Sequence, residues 1–325
     1  MKEVVFLDSN ANRWKTFEDM LSNPKKMESD HIADLYIQLT DDLSYAQTYY
    51  PNSDTTIYLN QLSARVHQQI YKNKKMKTGR LKTFWTRELP LIMYDARKQL
   101  LYAFLIFVVS MLIGVISAKN DLNFVRIIMG DNYVNMTLDN IKKGDPLAVY
   151  KQSGETMMFL QITINNVKVA FIAFLFGIFT AFGTGFMLFK NGVMLGSFQY
   201  FFVQHDLFWE STRVIWIHGA LEISAIILAG CAGMVMGNSL IFTKTLPRKT
   251  SLNIGVKKGL KIVVGTVPLF IVAGFLEGFV TRHTEMPITI SWIIILLSFT
   301  FIIWYFIIYP YQLIKADKNL LTTEN

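Results

Sequence analysis

Two ionisable residues stand inside an apolar stretch, VIWIHGALEISAIILAGCAGMVMG, which covers residues 214–237. His218 and Glu222 are four positions apart, so they share one face if the stretch is helical. An ionisable side chain at membrane depth costs at least about 2.5 kcal/mol, which favours a protein-facing or water-facing position. An imidazole and a carboxylate in such a place could hold Zn²⁺ or move protons.

Further polar residues stand near the ends of other apolar stretches. Glu277 lies in AGFLEGF, and Asn165 and Asn166 lie in ITINNVKV. If the stretches cross a membrane alternately, these side chains reach the depth of His218 and Glu222. Three interpretations stay open for this polar cluster: a hydrogen-bond network that fixes helix packing, a zinc site at His218, Glu222 and Glu277, and a path for protons or a ligand.

No enzyme class is predicted. The zinc-protease pattern of two histidines around a glutamate, a serine or cysteine nucleophile motif and a Walker loop are all absent from the sequence. No cofactor is assigned either, and Zn²⁺ is the candidate that the polar cluster leaves open.

Small residues recur every four positions after the polar pair. Ala225, Ala229, Gly233 and Gly237 form a stripe that lets another helix approach closely. His218 lies seven residues before Ala225, so the polar face should also be a helix–helix contact. Asn191 and Gly192, which follow Lys190, predict a turn at the inner membrane surface.

The composition predicts an all-α, polytopic membrane protein. Of 325 residues, 52% are hydrophobic and 17% are charged, and the charges lie mostly outside long apolar blocks. About six transmembrane helices are predicted, at 100–118, 167–189, 191–204, 214–237, 259–280 and 288–309.

The basic residues predict the orientation. Ten of them lie between Arg65 and Lys98, and six lie between Asn238 and Lys261 without an acidic residue. Because such segments stay on the cytoplasmic side, both termini should be cytoplasmic. The net charge of +8 comes from basic residues that lie beside apolar segments, where they set the orientation and meet anionic lipid. No nucleic-acid partner is therefore predicted.

The predicted organisation has four parts. Residues 1–78 form a cytoplasmic helical region that includes a helical hairpin, and residues 79–98 form an amphipathic helix on the membrane surface. The transmembrane domain covers 99–310 with an external loop at 119–166, and a cytoplasmic tail covers 311–325.

Four segments in this order, NNVKVAFIAFLFGI, LFKNGVMLGS, IHGALEISAIILAGCAGMVMG and FLEGFVTRH, resemble the stage II sporulation protein M family of integral membrane proteins. The resemblance covers roughly residues 95–310, and the amino-terminal region is similar to that of the long, non-sporulation members. It implies that the polar positions of the family correspond to Asn165, Asn166, Asn191, His218, Glu222 and Glu277, without a known chemistry.

The resemblance also implies a kind of function, because the founding member looks like a membrane scaffold for cell-wall hydrolases. We therefore expect a scaffold or assembly component at the envelope, in the inner (cytoplasmic) membrane of a bacterial cell. Its partners would be the lipid bilayer, other membrane or envelope proteins and a second copy of the chain. The alternatives are a zinc-dependent intramembrane hydrolase and a transporter or lipid-moving protein that uses the polar cluster.

Overall fold

The computed structural model describes residues 2–22, 29–72, 79–146, 148, 154–243, 245–281 and 286–323. Within these ranges the chain forms helices and no strand, which confirms the all-α prediction. The chain divides into two compact units, residues 1–80 and residues 81–325. We call them the N-terminal unit and the membrane unit.

The described residues of the N-terminal unit form the helices α1 (Glu3–Ser22), α2 (Ser29–Tyr49) and α3 (Asp54–Lys72). Its sequence predicted a hairpin, which α2 and α3 form, and α1 packs on it as a third helix. Trp14 of α1 is 2% exposed, and its indole nitrogen donates to Asp42 Oδ2 of α2 at 2.8 Å. The unit therefore has an apolar core of its own, formed by Phe6, Trp14, Phe17, Leu39, Leu43, Ala46, Leu59, Leu62 and Val66.

The membrane unit contains five helical stretches that are long and apolar enough to cross a membrane, judged by length and composition over the described residues. They are Arg97–Asn120, Glu155–Gln204, Phe208–Ile241, Arg248–Thr281 and Ile288–Asp317. Many large apolar side chains on them face outward, including Phe182 at 83% and Leu297 at 63% exposure. Such surfaces suit lipid as the solvent.

Within the stretch Glu155–Gln204 the chain turns back on itself, so the stretch is two helices and not one. It consists of α9 (Glu155–Leu175), a 3₁₀ turn (Phe176–Phe179) and α10 (Thr180–Gln204). The Thr184 hydroxyl donates to the Ala173 carbonyl at 3.2 Å, whereas residues eleven apart in one straight helix are separated by about 16 Å. This stretch therefore consists of two helices, of 21 and 25 residues, each long enough to cross a membrane.

This turn corrects two predictions. The second and third spans were predicted at 167–189 and 191–204, with a turn at Asn191 and Gly192. The chain turns instead at Phe176–Phe179, where Thr180 has a φ of 64°, and Asn191 and Gly192 lie in the middle of α10. The prediction of an inner-face turn at these two residues is wrong, because Gly192 lies within α10 and packs against Phe107 and Ser110 of the helix Arg97–Asn120.

The remaining elements are α6 (Arg97–Asn120), α7 (Leu122–Met129), α8 (Asp131–Lys142), α11 (Phe208–Ile241), α12 (Arg248–Phe275), α13 (Ile288–Ile303) and α14 (Tyr309–Thr323). A π-helical segment, Leu276–Thr281, continues α12, and a second one, Trp304–Ile308, joins α13 to α14. We call Leu276–Thr281 the π segment.

The predicted external loop 119–166 is helical over most of its described length. It contains α7, α8 and the first half of α9. Val125 of α7 and Val134 of α8 are buried in one apolar cluster with Phe202 of α10 and Val214 of α11. These two short helices therefore cover one end of the bundle, which we call the cap end. The opposite end, where α9 turns into α10, is the turn end.

The predicted surface helix at 79–98 packs on protein. It consists of α4 (Arg80–Thr83), a π-helical segment (Phe84–Glu88) and α5 (Leu89–Asp95). Leu89 and Met93 are 0% and 1% exposed within the core of the membrane unit. Hydrogen bonds hold the same segment to α12 and to the π-helical segment Trp304–Ile308. Lys261 Nζ donates to Glu88 at 2.7 Å, and the Tyr305 hydroxyl donates to the Trp85 carbonyl at 2.6 Å.

Candidate functional site

The central helix α11 positions the polar cluster. Ala225 and Ala229 on it are 0% exposed, and a β-carbon at Gly177 would overlap the Gly233 carbonyl oxygen. Gly237 lies against Thr180 at the start of α10. The stripe of small residues thus packs α11 against the α9–α10 turn, and the same helix carries His218 and Glu222 towards the cap end.

His218, Glu222 and Glu277 come together across two helices. One ligand atom from each of the three side chains lies within 4.8 Å of the others. Nε2 of His218 is 3.8 Å from Oε2 of Glu277, and their side chains are only 5% and 13% exposed. The site is therefore shared between α11, which supplies the i, i+4 pair, and the π segment, which supplies Glu277.

Thr281 holds the other side of the imidazole. Nδ1 of His218 lies 3.1 Å from Thr281 Oγ1, and the Thr281 hydroxyl donates to the Leu276 carbonyl at 3.0 Å. Because the hydroxyl proton is used in that bond, Thr281 accepts, and Nδ1 of His218 is the donor. In the neutral imidazole, Nε2 then presents its lone pair to the carboxylates.

The two asparagines of the predicted cluster have different positions. Asn166 donates from its amide nitrogen to Oε1 of Glu222, whereas Asn165 is exposed on another side of α9. A hydrogen bond from a fixed donor favours the one side-chain rotamer of the carboxylate that can accept it. Asn166 therefore positions Glu222, and Asn165 does not belong to the cluster.

Tyr133 of the cap was not anticipated from the sequence. Burial raises the pKa of its hydroxyl above the ordinary value of 10.0, a hydrogen bond with Thr137 lowers it in part, and the Glu277 carboxylate raises it further. The Tyr133 hydroxyl is thus close enough to the Glu277 carboxylate for its charge to affect the pKa of the hydroxyl. The cap helix α8 covers the cluster on the side away from the turn end.

A cavity of about 310 Å³ lies elsewhere in the membrane unit, at the turn end. Its lining includes Asp95, Gln99, Asn238, Ser239 and Lys258. Asn238 is twenty residues beyond His218 along α11, or about 30 Å in a straight helix. This cavity is therefore separate from the polar cluster.

The part of the chain that carries the polar cluster matches a known protein family. The family model described as stage II sporulation protein M matches residues 103–282, more than half of the chain, and this segment contains every residue of the polar cluster. The chain belongs to the stage II sporulation protein M family. It is thus an integral membrane protein with a helical membrane unit.

Two further comparisons describe the rest of the chain. A domain of unknown function (DUF8413) matches residues 4–72, which are the three helices of the N-terminal unit. An uncharacterized protein of Methanocaldococcus jannaschii is 25% identical over 189 residues, which is 57% of this chain and 82% of that protein. No solved structure matches the chain. The stage II sporulation protein M family membership therefore supplies an architecture, and the site has to be interpreted from its own geometry.

Proposed function

We propose that this protein is a scaffold or assembly component of the cell envelope, set in the cytoplasmic membrane with both termini in the cytoplasm. The observation that supports this most is the division of the chain into an N-terminal unit with its own core and a membrane unit of interlocked helices. The first would bind soluble partners, and the second would hold them at the membrane.

The packing of the membrane unit favours a fixed platform over a transporter. The backbones of α6 and α10 are in direct contact at Gly114 of α6 and Gly196 of α10. A β-carbon at either glycine would overlap a carbonyl oxygen of the facing helix. Helices in such contact cannot slide past each other without separating their backbones. Alternating access moves one group of helices against another, and close backbone contacts would have to break wherever they join the two groups.

The N-terminal unit offers a surface for a partner. Val4 and Val5 at the start of α1 are 75% and 50% exposed, and Ile57 at the start of α3 is 54% exposed. The Thr55 hydroxyl donates to Glu3 at 2.7 Å, which brings these two helix starts together. An exposed group of large apolar side chains on a small helical unit is typical of a protein–protein contact.

Complementation tests the proposal in cells whose envelope integrity depends on this gene. The full chain should restore the phenotype, and residues 81–325 alone should not, although they reach the membrane. Val4→Glu should impair function because it places a charge in the apolar contact, while Asn12→Glu, on an exposed position of the same helix, should not. Full activity of residues 81–325 would contradict a scaffold that works through the N-terminal unit.

Cysteine labelling tests the proposed orientation. In a Cys231→Ala background, a single cysteine at the exposed Asn132 of α8 should react with an impermeant thiol reagent added to whole cells. A cysteine at the exposed Lys249 of α12 should react only after permeabilisation. The reverse pattern would place the cap end in the cytoplasm and overturn the orientation.

A further inference from the structure

Three electron-pair donors converge beneath the cap. Nε2 of His218 and one carboxylate oxygen each of Glu222 and Glu277 lie within 4.8 Å of one another. Two carboxylates held together in a protein interior repel, and burying their charges is costly unless a proton or a metal cation neutralises them. The donor set therefore fits a bound cation.

The spacing fits one shared ion better than a direct contact. The 3.8 Å between His218 Nε2 and Glu277 Oε2 exceeds the 2.7–3.2 Å of an ordinary hydrogen bond. Two ligands of a tetrahedral ion with bonds of about 2.1 Å lie about 3.4 Å apart. The two side chains are thus within a few tenths of an ångström of the separation that a common metal ion requires.

The surroundings orient the ligands as in metal sites. Thr281 accepts from Nδ1 of His218 and so turns the Nε2 lone pair towards the carboxylates. Asn166 donates to Oε1 of Glu222 and so fixes the direction of that carboxylate. Metal-binding histidines and carboxylates are commonly fixed by such second partners, which set the tautomer and the rotamer.

We propose that His218, Glu222 and Glu277 bind one Zn²⁺ ion, which ties α11 to the π segment under the cap. An imidazole with two carboxylates suits Zn²⁺, whereas Mg²⁺ and Ca²⁺ prefer sets of oxygen ligands. Three protein ligands leave a fourth position open to a further ligand. This site goes beyond the proposed scaffold function and does not depend on it.

The test uses the full chain, purified in detergent without a polyhistidine tag and stripped with a chelator. Zn²⁺ is titrated against a competing indicator, bound metal is measured after gel filtration, and melting temperatures are recorded with and without Zn²⁺. We expect one Zn²⁺ per chain, a higher melting temperature with Zn²⁺, and no displacement by excess Mg²⁺.

Matched variants separate the site from adventitious binding. Glu277→Gln keeps the shape of the side chain but ligates poorly, so its Zn²⁺ affinity should fall by more than about 100-fold. That exceeds the loss typical of removing a residue that only holds a ligand in place. Glu210→Gln, an exposed carboxylate on the same helix α11, should bind Zn²⁺ like the wild type. Glu222→Gln provides the same measurement if Glu277→Gln does not fold.

Two results would overturn the proposal. One is a folded wild-type protein that takes up no Zn²⁺ and whose melting temperature is unchanged by Zn²⁺ or chelator, which would mean that protons hold the carboxylates together. The other is a folded Glu277→Gln or Glu222→Gln protein that binds Zn²⁺ as tightly as the wild type.

Discussion

Nε2 of His218 lies 3.8 Å from Oε2 of Glu277, although the two residues are 59 positions apart in the chain. This relationship joins the central helix α11 to the π segment at the cap end. Neighbouring residues hold these side chains in place: Thr281 bonds to His218, and Asn166 bonds to Glu222 next to them. Each neighbour can be substituted alone, so its effect on stability or Zn²⁺ affinity can be measured against a matched control.

Asn166 and Asn165 provide one such comparison. Asn166→Ala removes the donor to Glu222 and leaves a buried carboxylate oxygen without it, which should cost about 1–3 kcal/mol of stability. Asn165→Ala changes an exposed neighbour on the same helix and should leave the stability within about 0.5 kcal/mol. Unfolding of both variants in detergent checks this. Equal losses in both would mean that Asn166 does not hold Glu222.

Thr281 should control the tautomer of His218. Thr281→Val keeps the shape of the side chain and removes the acceptor for Nδ1 of His218. Zn²⁺ affinity should therefore fall by about 10–100-fold, as is typical when the residue that orients a metal-binding histidine is lost. Thr281→Ser retains the hydroxyl and should restore most of the affinity. The indicator titration measures both variants, and an unaltered affinity in Thr281→Val would show that the hydroxyl does not orient the ring.

The backbone contact between α6 and α10 predicts opposite effects for two Gly→Ala substitutions. Gly196→Ala places a β-carbon onto the Met111 carbonyl and should destabilise the membrane unit by about 1–3 kcal/mol. Gly185→Ala in the same helix meets its nearest atom, Ile106 Cδ1, at 3.9 Å and should be neutral or stabilising, because alanine favours helix. Melting temperatures in detergent decide between them. A tolerated Gly196→Ala would contradict the interlocked packing.

Tyr133 predicts how the cap responds to alkaline pH. Its hydroxyl pKa is raised in the folded protein, chiefly by burial, so the folded state holds this proton more tightly than the unfolded state. The resulting stability is fully present below the unfolded pKa near 10 and is lost as the pH rises towards the folded pKa. Tyr133→Phe should therefore lose less stability than the wild type between pH 9 and pH 11, on a scale of order 1 kcal/mol for one pKa unit. Parallel losses in melting temperature would show that Tyr133 does not titrate in this way.

The sequence predicted the class of fold because apolar blocks separated by charged segments are a strong signal. It misplaced the α9–α10 turn for a physical reason. Residues 176–179, FGIF, are as apolar as the helices that they join, whereas Lys190 and Asn191 are polar yet lie inside α10. A turn without a polar residue leaves no minimum in hydropathy. The pair Gly192 and Gly196, four apart, was a packing signal that could have shown that this region is helical.

The candidate site was accessible from the sequence only in part. His218 and Glu222 are linked by helical spacing, but nothing local links them to Thr281. The role of Thr281 depends on the π segment, in which its hydroxyl reaches the carbonyl of Leu276, five residues earlier. The choice between Asn165 and Asn166 depends on the rotation of α9, which packing against α11 and α12 determines.

X-ray absorption at the zinc K-edge of the Zn²⁺-loaded protein tests the site most directly, because it observes the ligands themselves. We expect nitrogen and oxygen ligands at about 2.0–2.2 Å from the zinc, no sulfur ligand, and the longer-range scattering of one imidazole ring. His218→Asn should remove the imidazole scattering or abolish binding. A spectrum without imidazole, or one that His218→Asn leaves unchanged, would show that the ion is bound elsewhere and would contradict the site.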